Sequence, residues 1–214
     1  MLDSISIKII NLAKREDRLF DCNAELEKIK ISPKDDLFFE ANESQLNGAH
    51  GCSLSHAMAL AELLFCSYKQ FFLIFEDDFS IREPNTFWVN LDEVIKHANL
   101  WDVYLLGHNT AIAIEATPIP SVVRAINSQT QSGYLVKRSY APKLIECFFR
   151  SAELLRFYND LPIPNKDLSK HYFTSDQLWK ELQIKDRYWI SNPSQIFQRP
   201  SFSDIEKRHV DYGV

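Results

Sequence analysis

Residues 71–78 read Phe-Phe-Leu-Ile-Phe-Glu-Asp-Asp. Five consecutive apolar side chains, three of them Phe, give way without a spacer to three carboxylates. An apolar run this short has the pattern of a strand buried on both faces, as in a parallel sheet with helices above and below. Periodicity alone also fits a buried helix segment, but the length and aromatic content favour a strand. Such a strand requires helices for both of its faces. It also brings the acidic triplet to the carboxyl edge of the sheet, where open α/β folds bind ligands. Side-chain alternation predicts Glu76 and Asp78 on one side and Asp77 on the other. Two carboxylates beside a low-dielectric core share a proton or hold a cation between them. Hard divalent ions such as Mg2+ and Mn2+ take oxygen ligands of this kind together with substrate phosphates. The competing reading is a solvated acidic turn.

The flanking sequence supplies the helices. Residues 5–12 predict a first strand, and Leu19, Cys22, Leu26 and Ile29 mark one face of the helix after it. Arg15 and Arg18 fall where loop meets helix, above the strand's carboxyl end. Guanidinium forks and free backbone N–H groups there suit a diphosphate; the plainer role is pairing with Glu16, Asp17 or Asp21. A short strand is predicted at 37–41 and a polar loop at 42–51. A helix is then predicted from Ser53, its N-cap, to residue 69, with Leu54, Ala57, Met58, Ala61, Leu64, Phe65 and Tyr68 as its apolar stripe. His56 lies in its first turn, where a hydrogen-bonded structural role is the plainer reading. Further on come a helix over 84–97, a strand over 101–107, a loop over 109–121 and strands at 122–126 and 133–136. A helix at 140–157, a proline-bearing loop at 161–165 and a short helix at 174–182 follow. Asp176 stands in the first turn of that short helix, where the dipole favours its ionised form. A last strand covers 187–190, and the tail from 198 reads as irregular.

Composition removes several function classes. With 24 Lys and Arg against 29 Asp and Glu the net charge is −5, which argues against a nucleic-acid binder. Only 5 glycines occur, with no Gly-x-Gly-x-x-Gly and no Walker sequence, so a phosphate must be held in another way. The 4 cysteines form no Cys-x-x-Cys pair, which argues against zinc and suits free thiols in a reducing compartment. The N-terminus has no secretory pattern, and no apolar run approaches the roughly 20 residues that span a bilayer. The 214 residues suit a single domain, expected in the cytoplasm with at most peripheral contact with a membrane.

Several stretches, in order along the chain, resemble glycosyltransferase family 25, which includes bacterial lipooligosaccharide and collagen hydroxylysine galactosyltransferases. They are Ile10-Asn11-Leu12 with Arg15, Asp17 and Arg18; Gly48 with residues 51–56; residues 75–78; Trp101-Asp102 with Leu106-Gly107; residues 132–136; Ser175-Asp176; and Pro193 with Gln198 and Ser203-Asp204-Ile205. The resemblance implies a GT-A-like α/β fold, a mostly parallel central sheet with helices on both faces. It implies inverting transfer of a sugar, commonly galactose from UDP-galactose, to a hydroxyl of a glycan or glycoconjugate. Glu76-Asp77-Asp78 then takes the place of the Asp-any-Asp metal motif. Asp78 is the leading ligand for Mn2+ or Mg2+, and Glu76 or Asp77 touches the metal or the ribose. Asn11, Arg15 and Arg18 line the nucleotide pocket, with His56 beside it. Asp176 is the candidate general base. A third metal ligand is unplaced, His209 being the candidate. A catalytically inactive nucleotide-sugar or glycan-binding domain is the alternative.

Overall fold

The computed structural model describes residues 2–162, 172–203, 205 and 207–211. The elements are β1 (Ile5–Asn11), α1 (Glu16–Lys28), β2 (Phe38–Glu40), α2 (Gly48–Cys66), β3 (Phe71–Glu76), β4 (Phe79–Ile81) and α3 (Pro84–Lys96). They continue with β5 (Val103–Leu105), β6 (Ile112–Ala116), β7 (Val122–Ile126), β8 (Gly133–Lys137), α4 (Ala141–Asp160), α5 (Ser175–Lys185), β9 (Tyr188–Ser191), β10 (Ile196–Gln198), β11 (Ser201–Ser203) and β12 (Arg208–Val210).

The Phe71 run is the third strand of an eight-stranded sheet ordered β2-β1-β3-β8-β5-β9-β7-β6. Strands β1, β2, β3, β5, β6 and β9 point one way, and β7 and β8 the other. Both faces of β3 are covered, as its continuous hydrophobicity demands. Phe71, Leu73 and Phe75 pack with Cys22 and Leu26 of α1 and Phe87, Leu91 and Val94 of α3. Phe72 and Ile74 pack with Ala57, Leu60 and Leu63 of α2, Leu144 and Phe148 of α4 and Trp179 of α5. At about 2 kcal/mol for each large apolar side chain taken from water, this run is a major part of the core.

The order of the first three strands positions the site. From β1 the chain passes through α1 to β2 on one side. It then returns through α2, on the opposite face of the sheet, to β3 on the other side of β1. This reversal opens a crevice at the carboxyl ends of β1 and β3.

Several expectations are corrected. Helix α2 starts at Gly48, not Ser53, and ends at Cys66. Its N-cap is Asn47, in extended backbone, whose side chain accepts a hydrogen bond from His50 N at 2.8 Å. Ser53 lies inside the helix, its hydroxyl bonded to Ala49 O. Residues 109–121 are not all loop, for β6 pairs there with β7. The tail is not wholly irregular: β10 pairs with β4, and β11 with β12. The proline-bearing stretch falls largely on residues 163–165, and the resemblance includes Asp204, all outside the described residues. Cys22, Cys52, Cys66 and Cys147 are free thiols. No helix among the described residues is long and apolar enough to cross a membrane.

Candidate active site

A cleft, open at its mouth, lies at the crevice. Ile10 and Leu12 come from the end of β1; Ala41, Asn42, Glu43 and Ser44 from the segment after β2; and Cys52, Ser55 and His56 from the first turns of α2. Glu76, Asp77 and Asp78 form its acidic floor, with Arg18 beside them. Gln198, Ser203, Ile205 and Lys207 from the tail close one edge.

The triplet does not alternate as a continuing strand would. Strand β3 ends at Glu76, and Asp77 and Asp78 form a turn into β4. Arg18 Nη1 therefore reaches both aspartates, Asp77 Oδ1 at 2.5 Å and Asp78 Oδ2 at 3.2 Å, so the two do not lie on opposite sides. The turn is pinned from three directions. Asn11 Nδ2 donates to Asp77 Oδ2 at 3.0 Å, the Cys22 thiol donates to Asp77 O, and Arg199 donates to Asp77 O and Phe79 O. Glu76 faces elsewhere, with Oε1 3.1 Å from His56 Nε2 and 3.6 Å from Cys52 Sγ.

Asp78 is the least satisfied member. Gln198 Nε2 donates to its Oδ2 at 3.0 Å. Its Oδ1 is buried and has no hydrogen-bond partner among the described residues. Burial, reinforced by the charges of Glu76 and Asp77, pushes its carboxyl up to about 7 against the pull of Arg18. Glu76 moves the other way: its burial is outweighed by His56 and Cys52, which hold its carboxyl below the usual range. A buried, unpaired carboxylate oxygen among acidic neighbours is a donor suited to a hard divalent cation.

The other expected residues fall into two groups. Arg18, Glu76, Asp77, Asp78 and His56 line the cleft. Asn11 and Arg15 stand one contact behind it. Asn11 holds Asp77, and the Arg15 guanidinium binds the Asp17 carboxylate and Phe202 O. Asp176 is not a lining residue. Its carboxylate accepts from Thr174 Oγ1 at 2.6 Å and Thr130 N at 3.4 Å. It is close enough for its charge to help push the Cys52 thiol up, after burial and Glu76. His209 is exposed on β12 and stacks edge-on against Phe202. Sequence reasoning missed Lys14, Asn42, Ser44, Cys52 and Lys207 in the wall. The available signal was the position of Asn42 and Ser44 directly after a parallel strand, where ligand loops belong.

No protein-family model matches the chain, and no curated protein matches it. Among solved structures it is similar to mannose-1-phosphate geranyltransferase from Thermus thermophilus, with TM-score 0.50 and 8% identity over 88% of this chain and 73% of that one. It is also similar to A197 from STIV, with TM-score 0.49, 12% identity and coverage of 96% and 92%. A third is a glycosyltransferase involved in the glycosylation of the major capsid of PBCV-1, with TM-score 0.42, 12% identity and coverage of 88% and 93%. At these identities the likeness is one of fold, and the fold is α/β and GT-A-like, its central strands running mostly in one direction.

Proposed function

We propose that the protein is a divalent-metal-dependent, inverting glycosyltransferase, close in kind to family 25. It moves a sugar, galactose from UDP-galactose by that resemblance, to a hydroxyl of a glycan or glycoconjugate such as lipooligosaccharide. The observation that carries the proposal is the Asp78 carboxyl, buried and half unpaired among the described residues, on the floor of an open cleft at the strand-order reversal. A solvated acidic turn would leave that carboxyl to water.

Each group has a role. Ile10, Leu12 and Ala41 give an apolar end for the base. Lys14, Arg18 and Lys207 place positive charge around the diphosphate. Asp78, joined by Glu76 once its side chain leaves His56, would hold Mn2+ or Mg2+, an ion that would supply positive charge for the leaving diphosphate. Arg18 and Asn11 keep Asp77 fixed, and Asp77 in turn fixes the turn that presents Asp78. Asp176, oriented by Thr174 and Thr130, takes the proton of the acceptor hydroxyl as its oxygen bonds to the anomeric carbon and UDP leaves from the opposite face.

One observation favours a second reading, a nucleotide-sugar or glycan-binding domain without turnover: Arg18 already bridges Asp77 and Asp78. Two measurements separate the readings, melting temperature with UDP in the presence and absence of Mn2+, and UDP release over a panel of nucleotide sugars. A Mn2+-dependent rise together with turnover supports the transferase. A rise with UDP but no turnover of any donor supports the binding domain, and no response to any nucleotide sinks both.

A further inference from the structure

Among the described residues, Cys52, His56 and Glu76 are the one group of three metal-ligating side chains whose donor atoms all lie within 4.8 Å of one another. We infer that they form a site for a borderline-soft divalent transition-metal ion, Zn2+ in the first instance, with a fourth position open to the cleft. The inference rests on this geometry and not on the transfer reading, with which it shares Glu76 as a ligand and His56 as a residue of the same cleft.

The donor set is that of an open zinc site: one sulfur, one imidazole nitrogen and one carboxylate oxygen. Zinc bonds of about 2.0–2.3 Å to such atoms in a tetrahedron put the donors about 3.3–3.8 Å apart. Here Glu76 Oε1 lies 3.1 Å from His56 Nε2 and 3.6 Å from Cys52 Sγ, and all three donors lie within 4.8 Å of one another, so an ion would draw them together from short range. Cys52 and His56 are four residues apart on α2 and so share one face of the helix. Glu76, the last residue of β3, comes to meet them. The imidazole is already aimed: His56 is fully buried, and its Nδ1 lies 3.1 Å from the Tyr134 hydroxyl, which leaves Nε2 to the site. A ring fixed through its other nitrogen is the usual support of a ligating histidine. All three residues line the cleft, so water or a ligand oxygen can complete the shell.

The preference for zinc over manganese follows from the sulfur. Thiolates select soft and borderline metals, whereas Mg2+ and Mn2+ favour the all-oxygen surroundings of Asp78. On binding, the Cys52 thiol passes its proton to the buffer, the proton between His56 Nε2 and Glu76 moves to Nδ1, which then donates to the Tyr134 hydroxyl, and the ion takes the place of both protons. An ion seated here keeps Glu76 on the His56 and Cys52 side, where it already faces, and so denies it to a hard-metal centre at Asp78; Zn2+ and Mn2+ then oppose each other through one carboxylate.

The test is titration of the metal-free full chain with Co2+. A single equivalent is expected to give the visible bands of a tetrahedral ion and a near-ultraviolet thiolate-to-cobalt absorption, and Zn2+ is expected to remove both. The thiolate absorption should vanish in Cys52→Ser and persist in Cys66→Ser, Cys66 being the exposed thiol. Tyr134→Phe should weaken Co2+ binding about tenfold. As a check independent of variant folding, X-ray absorption of the zinc-loaded wild type should give one sulfur in the first shell. A shell of nitrogen and oxygen only, or a thiolate band that survives in a folded Cys52→Ser, overturns the site and leaves a hydrogen-bond cluster. Mn2+-dependent stabilisation by UDP, measured separately on the same protein, reports the transfer reading alone.

Discussion

Asp78 stands where two demands conflict. The core that shapes the turn disfavours its charge, and the chemistry proposed for the cleft needs that charge. Replacing it tests both sides. Asp78→Asn is expected to melt no lower than wild type at pH 8, because a buried ionised group beside Glu76 is removed while Arg18 keeps Asp77. Its transfer rate should fall about 100-fold or more, since metal stabilisation is worth several kcal/mol and about 1.4 kcal/mol corresponds to tenfold. Donor-dependent UDP release and a melting curve on the same preparation check the two halves; full activity would sink the metal assignment. For Asp176→Asn, a loss of about 100-fold or more in kcat with little change in donor KM is expected of a general base. A parallel loss in both constants would instead place Asp176 in donor binding. At this scale the position of the acidic triplet at a strand end was legible, though the sequence equally allowed a solvated acidic turn. The division of labour within it was not. Glu76 turns to His56 and Cys52, and Asp77 to Arg18 and Asn11, because of partners on other elements.

Helix α2 carries the cleft's long wall, and its first turns show how one element sets another's position. Gly51 lies inside the helix, where glycine costs about 1 kcal/mol relative to alanine. The compensation is proximity: a Cβ on Gly51 would stand 2.3 Å from Asn42 O, so only glycine lets the segment after β2 pass. Ser55 fastens the same segment, accepting from Asn42 N at 2.7 Å. Gly51→Ala should therefore destabilise by about 1–3 kcal/mol, as overpacking does, and weaken donor binding through the displaced Asn42. Helix propensity alone predicts the opposite sign, so a raised melting temperature would refute the packing account. The helices and central strands were legible from their stripes and runs. Strand β6 was not, because all five of its residues are exposed and only pairing with β7 makes it a strand. The three-residue strands β10, β11 and β12 are too short to show a period.

Across the molecule, Asp102 ties together three strands at the end of the sheet away from the cleft. Lys137 from β8 binds it at 2.8 Å, and Arg187, just before β9, binds it through Nε and Nη2 at 3.1 and 2.8 Å. Burial alone would raise its carboxyl, but the hydrogen bonds from Arg187 and Lys137 outweigh it and hold the group down at about 2. A carboxyl lowered on folding stabilises the fold fully above its unfolded value of about 3.9, and that contribution is lost as pH falls through about 2. With discounting for the solvent near Arg187, the contribution is on the order of 1–2 kcal/mol. Asp102→Asn is thus expected to lower the melting temperature at pH 7 by roughly 2–6 °C and to flatten its decline between about pH 4 and 2. An unchanged acid limb in the variant would show that other carboxylates govern acid unfolding.

What the sequence determined by itself is local in origin. The Phe71 run needed cover on two faces, the helix stripes could supply it, and the triplet had to emerge at a strand end, because each of these follows from neighbours a few residues apart. The tertiary structure alone decided that Asp78 Oδ1 is the buried carboxylate oxygen of the triplet with no hydrogen-bond partner among the described residues. Arg18 meets Asp77 across 59 residues and Gln198 meets Asp78 across 120, and no short-range pattern encodes a partner at that separation. The reversal of strand order between β1 and β3 is what brings those distant groups to one cleft.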